Sequence, residues 1–281
     1  MTEAEWLACE DPAKMLEFLR GKAGERKLRL FIADCCRRVH NLLPNDLLRD
    51  AAGRQAVAVA ELLAESPSDA GEYCAAFTAV QMAADCELRL HEEPILASTL
   101  RRPLPALLVL AVALRPKNDV TGHLWNAVAH QDVVGGEEET DLVQQAIGSG
   151  RYAADALTEN ALETRIANRG LLERLFNLRP QADDSLVEQC RTDEIRRQIG
   201  LLHCIFGNPF RPATLDPARR TATVTSLAQA IYNERAFDRL PILADALEDA
   251  GCTSADVLSH CRSGGEHVRG CWVVDLVLGK E

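Results

Sequence analysis

The residues of this chain best suited to chemistry gather near its end: Cys252, His260, Cys261, His267 and Cys271. Thiolate sulfur and imidazole nitrogen are the ligands tetrahedral zinc prefers, and the spacer Ser263-Gly264-Gly265-Glu266 can bend them together. Read as a metal site, the stretch offers Cys252, Cys261, His267 and Cys271 as ligands, with zinc as the metal. The C-x-x-C pairs of common zinc modules are missing, and Cys271 precedes the apolar Trp272-Val273-Val274. Plain core packing of the thiols, with no cofactor at all, is therefore the preferred expectation, and zinc the alternative. A Cys/His nucleophile pair would need an orienting third group and an oxyanion site, and neither is identifiable.

Other polar groups carry less. His123 and His130 flank Trp125 about two helical turns apart, too far to share one ion, and Glu137-Glu138-Glu139 after Gly135-Gly136 suits a helix N-terminus. The segment Gly207-Asn208-Pro209-Phe210-Arg211-Pro212 is a candidate interaction loop: two prolines fix the backbone, Phe210 offers an anchor, and Asn208 and Arg211 offer hydrogen bonds. The preferred reading of the same segment is a connector whose phenylalanine plugs the core. No phosphate-cradling glycine loop, nucleophile elbow, H-E-x-x-H or calcium-loop pattern occurs, so no catalytic residue is expected.

Composition narrows the field further. The 281 residues carry a formal net charge of -11 and a pI near 5.2, which repels nucleic acid and anionic lipid as a whole. The one basic stretch, Arg20, Lys22, Arg26, Lys27, Arg29, Arg37 and Arg38, is interrupted by acids and spread around a helix, the pattern of a solvated face. Ten cysteines without regular spacing, in a chain that opens on the acidic Met1-Thr2-Glu3-Ala4-Glu5 rather than an export signal, imply reduced thiols and a cytoplasmic setting. The longest apolar run, Leu104 to Leu114, is too short to cross a bilayer.

The elements that must position these groups read as helices throughout. Thr2 and Glu5 have the capping-box spacing, and Asp11-Pro12 marks a second helix with Met15, Leu16, Phe18 and Leu19 on its apolar face and Gly21 as its stop. A third runs from about 25 to 43 on Leu28, Phe31, Ile32, Cys35 and Val39. Further helices are expected near 51–65, 69–92, 104–114, 119–133, 137–148, 151–178, 184–206, 215–236 and 239–250, with a short one from Ser254. Val273 to Leu278 is the only plausible strand, and helix is preferred there too. The expected fold is all-α, an irregular multi-helix bundle or non-repetitive helical array. A boundary near Arg179-Pro180 divides it into 1–179 and 180–281, packed as one unit or as two.

Two stretches also carry a resemblance. Met1 to Cys9 with Met15 to Lys22, and Cys204 to Pro212 with Gly270-Cys271-Trp272, resemble a large paralogous family of uncharacterised proteins found chiefly in planctomycete bacteria. The resemblance implies a bacterial lineage and no mechanism. Ala230 to Gly251, with Leu240-Pro241-Ile242-Leu243-Ala244-Asp245-Ala246-Leu247, is similar to a short companion domain of leucine-rich repeats, whose usual tryptophan is replaced here by Ala246. That similarity implies an interaction module. The chain is accordingly expected to be a non-catalytic helical protein that recognises a protein partner, with a Cys/His zinc-binding regulatory protein as the alternative and a small-molecule enzyme behind both.

Overall fold

The computed structural model describes residues 1–39, 55–65, 184–280 and, within 143–157, residues 143, 144, 146–151, 153, 154 and 157. The helices expected near 69–92, 104–114 and 119–133, most of those at 137–148 and 151–178, the histidines 123 and 130 and the domain boundary near 180 lie outside the described residues. Every regular element among the described residues is helical, so the protein is an all-α, irregular helical array. Among them no helix is long and apolar enough to cross a membrane.

The first two helices form where their caps dictate. In α1 (Glu3–Leu7) the Thr2 hydroxyl accepts from the Glu5 amide at 3.3 Å while the Glu5 carboxylate accepts from the Thr2 amide at 2.7 Å, satisfying two donors the helix would otherwise leave open. In α2 (Pro12–Leu19) Asp11 accepts from the amides of Ala13 and Lys14, and Pro12 supplies a pre-set first turn. Met15, Leu16 and Leu19 are buried. Trp6 is wholly buried, and its indole nitrogen donates to the carbonyl of Gly207 at 3.2 Å, fastening the start of the chain to the C-terminal half.

Helix α3 (Glu25–Val39) is the centre of the array. It buries Leu28, Leu30, Phe31, Ile32, Ala33, Cys35 and Cys36, more than one face, because α4 (Gln55–Glu65) packs on one side and α5 (Asp184–Phe206) on another. Its basic residues consequently depart from the solvated face expected of them. The Arg26 side chain is only 14% exposed; it meets Asp275 at 2.7 Å, Glu65 at 2.9 Å and the Tyr232 hydroxyl at 3.0 Å. Arg38, 11% exposed, pairs at 2.6 Å with Glu194 of α5, and Lys27 donates to the Ile205 carbonyl at 2.9 Å. Arg37 of α3, Arg235 and Arg269 converge on Glu61 of α4. Buried cations must be paired, so a helix surrounded on several sides converts its charges into internal ties. Arg20 and Lys22, before α3, stay exposed.

Beyond α5 come α6 (Ala222–Glu234), α7 (Leu240–Asp249), α8 (Ala255–Arg262) and α9 (Trp272–Leu278). The helix expected over 215–236 starts later: Asp216 accepts from the Ala218 amide and makes its own 3-10 turn at Pro217–Arg219, and Thr221 caps α6. The segment around Val273 is helical, as preferred over a strand. Helix α6 packs on α7 and α9, α7 on α8, and α5 on α2, α3 and α9. Helices from both sides of the expected boundary contribute to one continuous apolar cluster, from Trp6 to Val277.

Trp6→Ala removes the largest fully buried side chain among the described residues and the indole bond to Gly207 together. It should lower unfolding stability by about 3–5 kcal/mol, read from the urea midpoint by circular dichroism.

Candidate metal centre

Three helix ends and one loop converge beside α3. Cys204 lies in the last turn of α5, which stops at Gly207 in a left-handed conformation (φ 62°). A β-carbon at Gly207 would sit 3.1 Å from the ring of Trp272, so the close stacking of this corner on α9 needs glycine. His260 lies in the last turn of α8, where the Ser263 hydroxyl donates to its carbonyl at 2.8 Å. Cys271 is the N-cap of α9; its amide donates to the Val268 carbonyl and its carbonyl accepts from Asp275. Between them Gly270 (φ 88°) passes so near α3 and α5 that a β-carbon would lie 2.9 Å from Leu30.

The outcome is a compact cluster of four. The ligand atoms of Cys204, His260, His267 and Cys271 all lie within 4.8 Å of one another. His260 Nε2 is 3.3 Å from Cys271 Sγ, and His267 Nδ1 is 3.5 Å from Cys204 Sγ. A tetrahedral zinc with bonds of ~2.3 Å to sulfur and ~2.05 Å to nitrogen requires sulfur–nitrogen edges of roughly 3.5 Å, so both measured edges have the size the ion needs. Both sulfurs are buried and both imidazoles half-buried.

The surroundings orient the ligands. His267 Nε2 faces the Ser263 carbonyl at 3.4 Å and the Ser263 hydroxyl at 3.3 Å. Donating that nitrogen's proton to the carbonyl leaves the Nδ1 lone pair directed at the cluster, as ligating histidines generally require. The His260 ring is held edge-on to His267, with centroids 4.8 Å apart, and leans on Trp272 at 5.1 Å.

Proton affinities follow from this packing. Burial pushes the Cys271 thiol up, but hydrogen bonds from Cys204, His260 and His267 outweigh it and hold Cys271 well below the ordinary thiol range. Cys204, which donates to Cys271 and is itself buried, is raised. For His267 burial pulls down, while the hydrogen bond and charge of Cys271 with the Ser263 carbonyl pull up more strongly, so its pKa is raised.

Of the four ligands expected from sequence, His267 and Cys271 are in this group and Cys252 and Cys261 are not. His260 and Cys261 are consecutive on α8, so their side chains diverge by about 100°, and only one can face the site. His260 does. Cys261 turns into the core, where burial and the neighbouring thiols Cys271 and Cys252 push it up to about 12. Cys252 is buried after α7, its amide bonded to the Leu247 carbonyl. Cys204 is legible in the sequence only as one more apolar position in the stripe Leu201, Cys204 and Ile205; it precedes His267 by 63 positions, and no local spacing links them. Cys35 and Cys36 pack as small hydrophobes, and burial raises both thiols.

The candidate interaction loop spends its groups at home. Asn208 donates to Glu3 at 2.7 Å and Arg211 pairs with Glu3 at 2.7 Å. Phe210 stacks on Phe18 with centroids 5.1 Å apart and remains 37% exposed, so it covers the second helix rather than plugging the core.

Fold and site together define an all-helical protein with a Cys2His2 cluster able to hold a metal ion. No family model, curated protein or solved structure matches the chain.

One buried acid near this corner has a pH signature. Asp34 of α3 leaves one carboxylate oxygen without a hydrogen-bond partner, and its nearest ion-pair contact, Arg37, is 3.9 Å away. Burial raises its pKa to about 6 from 3.8; Glu266 adds to the rise, and Arg37, Arg38 and Arg235 oppose it. Between those values the folded chain retains a proton that the unfolded chain releases. Asp34 therefore costs stability progressively as pH rises through this window, up to about 3 kcal/mol. Relative to wild type, Asp34→Asn should be more stable at about pH 7 than at about pH 4, checked by urea denaturation of both proteins at each pH.

Proposed function

We propose that Cys204, His260, His267 and Cys271 bind one zinc ion whose role is structural, and that the helical array so fastened is a non-catalytic module for recognising a protein partner. The observation carrying the zinc reading is the mutual approach of four ligand atoms within 4.8 Å, two of each preferred type. Four protein ligands fill a tetrahedron and leave no position for water or substrate, the arrangement of a structural rather than a catalytic site. Two thiolates and two neutral imidazoles cancel the charge of the ion, so a neutral centre can sit beside the buried faces of α3 and α5.

The recognition role is supported by the apolar side chains that the described residues place on the surface at Leu7 and Ile242. The proposed lineage bears on the site as well, since the C-terminal stretches resembling the planctomycete family include Cys204 and Cys271.

Elemental analysis of the purified, zinc-reconstituted chain should return about one zinc per molecule. His260→Ala and His267→Ala, at half-exposed positions the fold can tolerate, should lower that occupancy and the affinity for zinc by tenfold or more. Cys252→Ala and Cys261→Ala should keep full stoichiometry. Cobalt(II) should give the intense visible bands of a tetrahedral thiolate site in wild type. Retention of metal in the histidine variants, or its loss only in Cys252→Ala and Cys261→Ala, would refute this ligand set. A wild-type chain that takes up neither zinc nor cobalt refutes the zinc reading outright.

A further inference from the structure

The zinc reading explains why four ligands meet, and the placement of the two sulfurs adds something to it. Cys204, in the last turn of α5, and Cys271, the N-cap of α9, belong to different elements, yet their sulfurs share one cluster and lie within 4.8 Å of each other. Closing a disulfide from there requires the sulfurs to approach by less than ~3 Å, within reach of side-chain rotation. The neighbouring residues already pack together: a β-carbon at Gly270, next to Cys271, would be 3.7 Å from the Ile205 side chain, next to Cys204. The cluster also has an outer side, since both imidazoles are half-exposed and residues Ser263, Gly264, Gly265 and Glu266 are exposed.

Resting on the zinc reading, we propose that the centre is also a redox switch, in which a peroxide converts Cys204 and Cys271 into a disulfide and releases the ion. The Cys271 sulfur attacks one peroxide oxygen; a sulfur–oxygen bond forms, the oxygen–oxygen bond breaks, and one water leaves after protonation. The Cys204 sulfur then attacks the oxidised Cys271 sulfur; the disulfide forms, the sulfur–oxygen bond breaks, and a second water leaves. Two thiolates lose two electrons in total, and hydrogen peroxide with two protons accepts them. Stripped of both thiolates, the ion keeps only His260 and His267 and dissociates. The link between α5 and α9 survives as a covalent bond, while His260, His267 and the loop between them are released. A thiol reductant and fresh zinc reverse the change.

The full-length, zinc-loaded chain is titrated with hydrogen peroxide while a chromogenic chelator reports free zinc, and the product is mapped by peptide mass spectrometry. Zinc should be released in step with a peptide pair cross-linked through Cys204 and Cys271, and reductant with added zinc should restore the starting protein. Cys252→Ala and Cys261→Ala should respond as wild type does. The switch is overturned if zinc stays bound until the chain unfolds, if Cys271 bridges to Cys261 instead, or if release leaves Cys204 and Cys271 as sulfinic acids. The same titration on metal-free chain separates the two readings. A Cys204–Cys271 bridge in a chain that never takes up zinc sinks the zinc site and keeps the redox pair, whereas zinc binding without that bridge keeps the site and sinks the switch.

Discussion

A helix that carries charge on a side the fold must bury has only one solution: each charge finds a partner inside. Helix α3 is in that position, and Arg26 meets the demand most fully. Its guanidinium reaches Glu65 on α4, Tyr232 on α6 and Asp275 on α9, so a single side chain fixes how three other helices lie around α3. Removing one partner from such a group leaves a desolvated charge, which typically costs more than the intact pair contributes, and the arrangement is therefore specific even where it is not strongly stabilising. Lys27, the next residue, holds the backbone just after Cys204 through the Ile205 carbonyl. Arg26 anchors α9 four residues beyond Cys271 in the same way. The two thiols thus meet because adjacent cations on one helix hold the two segments that bear them.

Much of the helical framework is legible from short-range patterns. The threonine and glutamate that open the chain, and the Asp-Pro pair before α2, act through atoms a few residues away, and both caps form as their spacing implies. The start of α6 departs from its expected position because Asp216-Pro217 is an equally good cap: it nucleates a brief 3-10 turn, and the helix proper waits for Thr221. The charge on α3 departs from the expected solvated face for a different reason. Interspersed acids and bases look alike whether water or another helix faces them, and only the tertiary neighbours decide.

The site divides along the same line. His267 and Cys271 lie near each other in the chain, and residue type and spacing suffice to single them out. The choice between His260 and Cys261 depends on the phase of α8, which composition does not reveal. Cys204 depends on how α5 ends against α9, a matter of Gly207 making room for Trp272. Three of the four ligands sit at helix ends, whose backbone is held by capping bonds, and the fourth is oriented by Ser263. Helix ends provide stiffness without a dedicated scaffold, which explains why the cluster bears no familiar finger spacing.

The long reach from Cys204 to Cys271 bears on how the molecule is made. Chains leave the ribosome N-terminus first, and α1, α2, α3 and α5 can all have emerged while two or three of the ligands are still unsynthesised. Trp6 cannot find its full seat until the corner at Gly207 is formed, and that corner is not closed until Trp272 arrives. Capture of an ion by all four ligands would thus report that segments far apart in the chain, those of Trp6, Gly207 and Trp272, have docked.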